Sequence, residues 1–464
     1  MKQLDRRTFL DRLTLASLAY LPLIRTLDRL NIMPQTGDIK QTRSAIPALS
    51  AGNPVAQIFD MHCHPNLKNY LWGKKMWRHH PSKKGDNIAN MQVDINKLLK
   101  GNVKGFLAAH YLPERGMREQ ARTLRKIFPA LKSLAPVFAS KIENGTDANF
   151  RQLLTMLDEF EEHLELTNQK AAQNNGKDII KIARSYTEFE TNANNGVISA
   201  IHSIEGSHSL GRNMKPEAYI ANLERLYERG VCAITLAHFF QNDLCYPVEG
   251  IPPAMKKNLG ISWRYHEEFD DKPLTPIGLA VVTRMLELGM IVDLTHLAPI
   301  ARAQIFAINA ANKSPRPLIF SHAGVRDLFT GPSAFDSYKY MGAKNTEIDQ
   351  IKQCRGVIGV IFMNYWLVGC DTHTKGCPDN FSKGIDYVVN TIKFIRERTG
   401  SYENIAIGSD FDGFADSPAD LKDAGYFGAL VDAIKISLGT TQAELDMITH
   451  GNAMRVLKEG WGKI

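Results

Sequence analysis

Long hydrophobic runs are missing from this 464-residue chain. Its apolar N-terminal stretch, Leu13 to Ile24, is twelve residues long, against the roughly 20 that a membrane-spanning helix needs. The six cysteines (Cys63, Cys232, Cys245, Cys354, Cys370, Cys377) form no CxxC pair, and their spacing excludes a zinc ribbon. Cys370 and Cys377 bracket a short polar loop, and either join as a disulfide in an oxidising compartment or remain free thiols. A strong excess of one charge is also absent. The formal net charge is +7, but residues 1–50 carry eight Lys/Arg against four Asp, leaving about +3 for the rest. With no long basic run either, there is no case for nucleic acid as a partner. Repeats and low-complexity tracts are lacking too, apart from the polar stretch Asn168–Lys177. What is left is 44% hydrophobic and 23% charged, the balance of a soluble globular protein.

The first residues read as an address. Asp5-Arg6-Arg7-Thr8-Phe9-Leu10 resembles a twin-arginine export signal, and the run to Ile24 fits a signal's apolar core. The alternative is an amphipathic helix that stays on the chain, because the small residues suited to cleavage, Ala48 to Ala51, lie far beyond that run. Residues 1–54 are therefore expected to be signal and linker. Residues 55–464 are expected to form one domain of an exported, periplasmic protein.

Past Pro54, short apolar runs alternate with longer helical patterns, the signature of parallel βα units. Eight candidate strands emerge: Gln57–Met61, Gly105–Ala109, Val197–Ile204, Cys232–Leu236, Met290–Leu294, Pro317–Phe320, Val357–Phe362 and Asn404–Ile407. Several are near-continuous apolar runs, as expected of strands covered on both faces. Helical spacing predicts Pro216–Glu228, ending at Gly230, and Pro299–Asn312. Thr275-Pro276 starts another helix as cap and first residue, and Gly289 closes it. The expected fold class is α/β, a (β/α)8 TIM-type barrel with long insertions in its βα loops. Two such loops, Pro65–Asn90 and Phe239–Lys272, follow strands and so emerge at the face where barrel enzymes build their sites. The first, rich in aromatic and basic residues such as Trp72, Trp77 and Arg78, is either a lid or a dock for a membrane or cell wall. The charged region Asn149–Ser185 reads as a solvated helical excursion.

Ligand-type residues gather at the strand ends. Alternation along a strand points His62 and His64 one way and Cys63 the other, which makes either a metal edge or two unrelated polar residues. Glu205 closes the third strand, Asp293 and His296 the fifth, His322 the sixth, Asp410 and Asp412 the eighth. Their recurrence at one face points to a two-metal hydrolytic site, with a carboxylate between two histidine pairs bridging the ions. Asp60 and Asp293 are either partners of the ligating histidines or ordinary strand-end polar residues.

Five segments together carry a family likeness: Ser203-Ile204-Glu205-Gly206-Ser207-His208-Ser209, Ala233-Ile234-Thr235-Leu236-Ala237-His238, Val292-Asp293-Leu294-Thr295-His296, Ile319-Phe320-Ser321-His322 and Ile407-Gly408-Ser409-Asp410-Phe411-Asp412-Gly413. They resemble the membrane (renal) dipeptidase family of the amidohydrolase superfamily. Gly451-Asn452-Ala453-Met454-Arg455-Val456 is similar to its C-terminal GN-x-x-R-V/L signature, and the motifs run in the family's order over about residues 55–464. The resemblance implies a zinc-dependent dipeptidase with two Zn2+ per chain bridged by Glu205. One ion would be held by His62 and His64, the other by His296 and His322. It further implies that His238 meets the substrate's tetrahedral centre, that Asp410 handles the proton and the substrate's amino group, and that the protein is a homodimer acting on a small dipeptide. A hydroxide held by the metals would attack the amide carbonyl, Asp410 moving its proton to the departing nitrogen and His238 stabilising the oxyanion.

Two positions depart from the family pattern. Where the family has His-x-Asp on its first strand, this chain has His62-Cys63-His64, which removes a negative charge and keeps a good zinc ligand. The family's arginine beyond the strand-six histidine, which pairs with the substrate carboxylate, has no counterpart at the matching place. Arg326, Lys339 and Lys344 are the substitutes at hand, with Arg326 either binding substrate or capping the helix that follows. Two rival readings follow: the same metals acting on an N-acyl amino acid or a lactone, or a non-catalytic exported metal-binding protein.

Overall fold

The computed structural model describes residues 56–82, 91–134, 136–147, 149–171, 177–251, 256–257, 259–261, 271–329, 341–369, 384–413 and 417–462. Nine strands build one sheet: β1 (Ile58–Cys63), β2 (Val103–Tyr111), β3 (Ile180–Ile182), β4 (Ile198–Glu205), β5 (Ala233–Thr235), β6 (Ile291–Asp293), β7 (Ile319–Ala323), β8 (Val357–Val360) and β9 (Ile405–Ile407). They lie in the order β2-β1-β9-β8-β7-β6-β5-β4-β3, every pairing parallel. A further parallel pairing, from Gly105↔Ser199 to Tyr111↔Glu205, joins β2 to β4 and closes eight strands into a (β/α)8 barrel. β3 stays outside the ring, bonded to the start of β4. All eight strands read from the sequence are present. β3 has no counterpart among them, because its Ile180-Lys181-Ile182 is broken by a lysine and stands outside any continuous apolar run.

The barrel is packed, not hollow. Leu107, Ile201, Ala233, Ile291, Ile319 and Val357 are buried in its interior cluster. The helix Asn452–Gly460 joins that cluster through Ala453, Val456 and Leu457. The GN-x-x-R motif at its start acts structurally. Asn452 Nδ2 donates to Tyr402 O (2.7 Å) and Ile405 O (2.8 Å), and Arg455 Nη2 donates to Glu403 O (2.8 Å). These bonds fasten the closing helix where β9 begins, at the opposite end from the strand C-termini.

Helix Pro276–Leu288 starts and stops as its caps dictate. Thr275 Oγ1 accepts from Gly278 N (3.1 Å), and Gly289 takes a left-handed φ of 77°. The segment beginning at Asn149 differs from its reading as a solvated excursion. Asn149–Ala171 is one long helix whose Leu153, Met156, Leu157, Phe160 and Leu164 are buried against the barrel. The many charges in that stretch hid an apolar stripe at helical spacing. Three more helices, Arg115–Gln120, Arg122–Leu134 and Pro136–Asp147, form an insertion after β2. Leu124, Ile127, Phe128 and Leu131 make a separate apolar cluster there with Phe240 and Ile251 of the β5 loop. No helix among the described residues is long and apolar enough to cross a membrane. The signal region 1–54, Cys370, Cys377, Lys339 and parts of both long loops (residues 83–90 and 262–270 among them) lie outside the described residues.

Candidate metal centre

Parallel strands in a closed ring bring all their C-terminal ends to one face. There Glu205, the last residue of β4, is buried at the middle of five histidines. Its Oε1 lies 3.3 Å from His62 Nε2, 3.5 Å from His296 Nε2 and 3.6 Å from His322 Nε2. Its Oε2 lies 3.5 Å from the Nε2 of both His64 and His238. Four of these histidines approach in two pairs, His62 with His64 (Nε2···Nε2 3.1 Å) and His296 with His322 (3.0 Å). Asp410 Oδ1 stands 3.3 Å from His64 Nε2, which adds it to the His62–His64 side.

The backbone is bent to achieve this. Phe59, Met61 and Ile319 belong to the barrel interior, so unbroken alternation would turn His62, His64 and His322 outward. Register irregularities between Asp60 and Cys63 on β1, and between Phe320 and Ala323 on β7, re-aim them. His62 and His64 do share a direction, but the irregularity sets it. His296, Asp410 and Asp412 hold left-handed φ values of 64°, 57° and 65°, costly for non-glycine residues and typical of functional sites.

The surrounding polar groups fix proton positions. Asp293 accepts from Ser321 N (2.9 Å), Thr295 N (3.1 Å) and Thr295 Oγ1 (2.7 Å), while Ser321 Oγ donates to its other oxygen at 2.5 Å. Since the single Ser321 proton goes to Asp293, the Nδ1 atoms of His62 and His322, each 3.0 Å from Ser321 Oγ, must be the donors. In the neutral form a metal ligand needs, their Nε2 atoms then carry the lone pairs. Asp293 thus serves two histidines, through a serine the sequence motifs did not single out. Asp60 instead holds backbone: its carboxylate accepts from His62 N (3.2 Å) and Ser409 N (2.9 Å).

This donor set fits divalent cations. Nitrogen and oxygen atoms able to hold an ion lie within 4.8 Å of one another in the groups His62–Glu205–His322, His62–His64–Asp410 and Glu205–His238–His296. Such a convergence of acceptors is unfavourable unless positive charge lies among them. Burial holds His296 and His322 below the usual imidazole range, the neutral form a ligand needs. Burial pushes Glu205 up, but His238, His64 and His62 more than offset it and hold the carboxyl well below its usual range.

His238 is held from behind by a residue that no sequence motif flagged. Its Nδ1 donates to Glu114 Oε2 (2.9 Å), and the same carboxylate accepts from Phe239 N (3.2 Å), Phe240 N (2.8 Å) and Tyr111 OH (3.3 Å). Burial lowers the His238 pKa, yet Glu205 and Glu114 outweigh it and raise the value overall. Asp412 is structural: buried, it pairs with Lys68 Nζ (2.8 Å) and accepts from Gln92 N (2.8 Å) and Val93 N (3.1 Å). Arg326, half-buried on the short turn Arg326–Leu328 after β7, stands outside the group that converges on Glu205.

The sequence profile of the membrane dipeptidase family (peptidase family M19) matches residues 55–460. A dipeptidase of Schizosaccharomyces pombe, described as uncharacterized, is 29% identical over 56% of this chain and 53% of its own length. A dipeptidase of Aspergillus terreus is 24% identical over 79% of this chain and 76% of its own. The chain thus spans about half to three quarters of the length of these two relatives. A metallopeptidase of Rhodobacter sphaeroides, solved with a phosphinate mimic of the dipeptide L-Ala-D-Ala, superposes with a TM-score of 0.62. It covers 88% of this chain and 100% of that one at 17% identity, a likeness of fold.

Proposed function

This chain belongs to the membrane dipeptidase family, and on that premise we propose that it hydrolyses the amide bond of a dipeptide at a centre of two zinc ions bridged by Glu205. One observation carries the reading: each oxygen of one buried carboxylate faces histidines, which stand in two close pairs. When bound, two such ions would activate water and polarise the scissile carbonyl. Asp410 is placed beside His64 to accept a proton from the attacking water and return it to the departing nitrogen. His238, with Nδ1–H on Glu114 and its pKa raised, against burial, by Glu205 and Glu114, can keep an Nε2–H as well and donate it to the carbonyl oxygen as that oxygen gains charge. Trp366, buried and edge-on to His296 at 5.4 Å, forms an apolar wall beside the centre.

The sequence between His322 and Ile351 has one arginine, Arg326. That feature supports a second reading, in which the same centre acts on an N-acyl amino acid or a lactone. Purified protein assayed with L,L- and L,D-dipeptides beside acyl amino acids decides between them. Glu205→Gln is expected to abolish two-metal binding and activity together; retention of two metals per chain by elemental analysis would refute the bridge. The twin-arginine-like segment Asp5–Leu10 supports export to the periplasm. Periplasmic recovery of a reporter fused to residues 1–54, abolished by Arg6→Lys with Arg7→Lys, tests it.

A further inference from the structure

The four paired histidines are not held alike. His62 and His322 have their Nδ1 atoms anchored, each 3.0 Å from Ser321 Oγ. His64 Nδ1 and His296 Nδ1 are buried and have no hydrogen-bond partner among the described residues. Each pair therefore contains one anchored ring and one that relies on packing. The anchored rings belong to different pairs, lie with centroids 3.8 Å apart, and share a single oxygen.

We propose that Ser321 is a common brace for both metal positions, one hydroxyl setting the ligand form of a histidine in each pair. The proposal rests on the reading of the Glu205 centre as a two-ion site. A serine oxygen has two lone pairs and one proton. Here both lone pairs receive imidazole N–H groups and the proton goes to Asp293 at 2.5 Å. Asp293 is in turn locked by the Ser321 and Thr295 amides and by the Thr235 and Thr295 hydroxyls. Moving or removing this one oxygen therefore acts on both histidines. Partners of this kind keep an imidazole in the tautomer and orientation a metal needs, and losing one costs about 10–100-fold in metal affinity. Ser321 is a positioning residue: it touches the ligands and not the ions. The two positions would then be coupled not only through the shared carboxylate of Glu205 but also from behind, through a hydroxyl.

The test is a Zn2+ titration of metal-stripped full-length protein against a competing chelator dye, with elemental analysis giving stoichiometry. Ser321→Ala is expected to weaken both binding steps, each by about 10–100-fold, while the metal-free protein keeps its circular dichroism and melts somewhat lower, since two buried imidazole N–H groups lose their acceptor. Ser321→Cys, which keeps a weaker donor and acceptor at the same place, is expected to shift both steps the same way, and it decides the matter should Ser321→Ala not fold. Weakening of one step only, or of neither, overturns the shared brace. A parent protein binding fewer than two ions overturns the two-ion reading and the brace with it. A parent binding two ions with a one-step loss in the variants overturns the brace alone.

Discussion

Replacing Glu114 by glutamine isolates what holds His238. The carboxylate of Glu114 faces donors only: His238 Nδ1 (2.9 Å), Phe239 N (3.2 Å) and Tyr111 OH (3.3 Å) at Oε2, and Phe240 N (2.8 Å) at Oε1. A glutamine must turn its NH2 toward one of these sets. The lesser conflict puts the amide oxygen at Oε2 and faces the NH2 to Phe240 N, losing one backbone bond and the charge beside the imidazole. A hydrogen bond to a charged group contributes about 1.5–3 kcal/mol net, so kcat/KM is expected to fall roughly 10–100-fold. On the proposed mechanism the loss belongs in kcat with KM little changed, because His238 would act on the oxygen that gains charge during the reaction.

The assay is steady-state kinetics on the best dipeptide substrate, with zinc content measured on the same sample and affinity for a phosphinate dipeptide mimic measured in parallel. A tetrahedral mimic should weaken by the same factor as kcat/KM. Unchanged kcat/KM with two metals bound would refute the role given to Glu114, and so would a loss that tracks departing zinc. Glu114→Ala, which leaves four donors facing a void, serves as the contrast: a buried charge partner removed outright costs about 3–5 kcal/mol of stability.

Two further outcomes follow from buried and half-buried charge. Lys68→Met strips the partner from Asp412, both side chains being fully buried; the cost expected is about 3 kcal/mol, the low end for a broken buried pair, since the Gln92 and Val93 amides still bind the carboxylate. Urea denaturation reads it, and a change under about 1 kcal/mol would mean the pair does not hold the loop. Glu161 tests acid stability. Burial pushes its carboxyl up, but bonds from His202 and Arg229 outweigh this and bring it down from 4.5 to about 2. A carboxyl depressed on folding stabilises the protein above its unfolded pKa and loses that contribution as pH falls from 4.5 toward 2. The difference in urea midpoint between the parent and Glu161→Gln should therefore be larger at about pH 6 than at about pH 3; a pH-independent difference would refute it.

The barrel was legible because its eight strands are apolar runs bounded by turn residues, and because ligand residues stand at their ends. What escaped was whatever depends on contacts between distant segments. Glu114 lies 124 residues before His238, and in sequence it is one acidic residue at the start of a helix. Ser321 precedes a ligand directly, yet its bonds run to His62, 259 residues away, and to Asp293. Alternation gave His62 and His64 a common direction, but the register irregularity that turns them inward cannot be read from residue types. The insertion Arg115–Asp147 went unread, although Leu124, Ile127, Phe128 and Leu131 repeat at helical spacing, and its packing on the β5 loop depends on a distant segment.

Asp410 received one role from the sequence and has the position for two. The resemblance makes it the proton carrier, whereas the structure sets its Oδ1 3.3 Å from His64 Nε2, within a group of donors able to hold an ion. The exchange of a family aspartate for His64 sharpens the question. With one carboxylate fewer on the β1 side, Asp410 and Glu205 are the acidic residues in the donor groups that converge there. If Asp410 supplies charge that an ion requires, Asp410→Asn should cost zinc. If basicity is its indispensable property, the amide oxygen still offers a lone pair, two ions stay bound, and only the proton transfer fails. The left-handed loop favours the second outcome, because the aim of residue 410 is fixed by backbone at φ 57° and by Asp410 N donating to His62 O at 2.9 Å, neither of which asparagine disturbs. Loss of a positioned general base costs about 10²–10⁴-fold in rate. The expected result for Asp410→Asn is therefore two zinc ions by elemental analysis with kcat lowered by at least about 100-fold; a protein that retains a single ion would make Asp410 a ligand first and a base second.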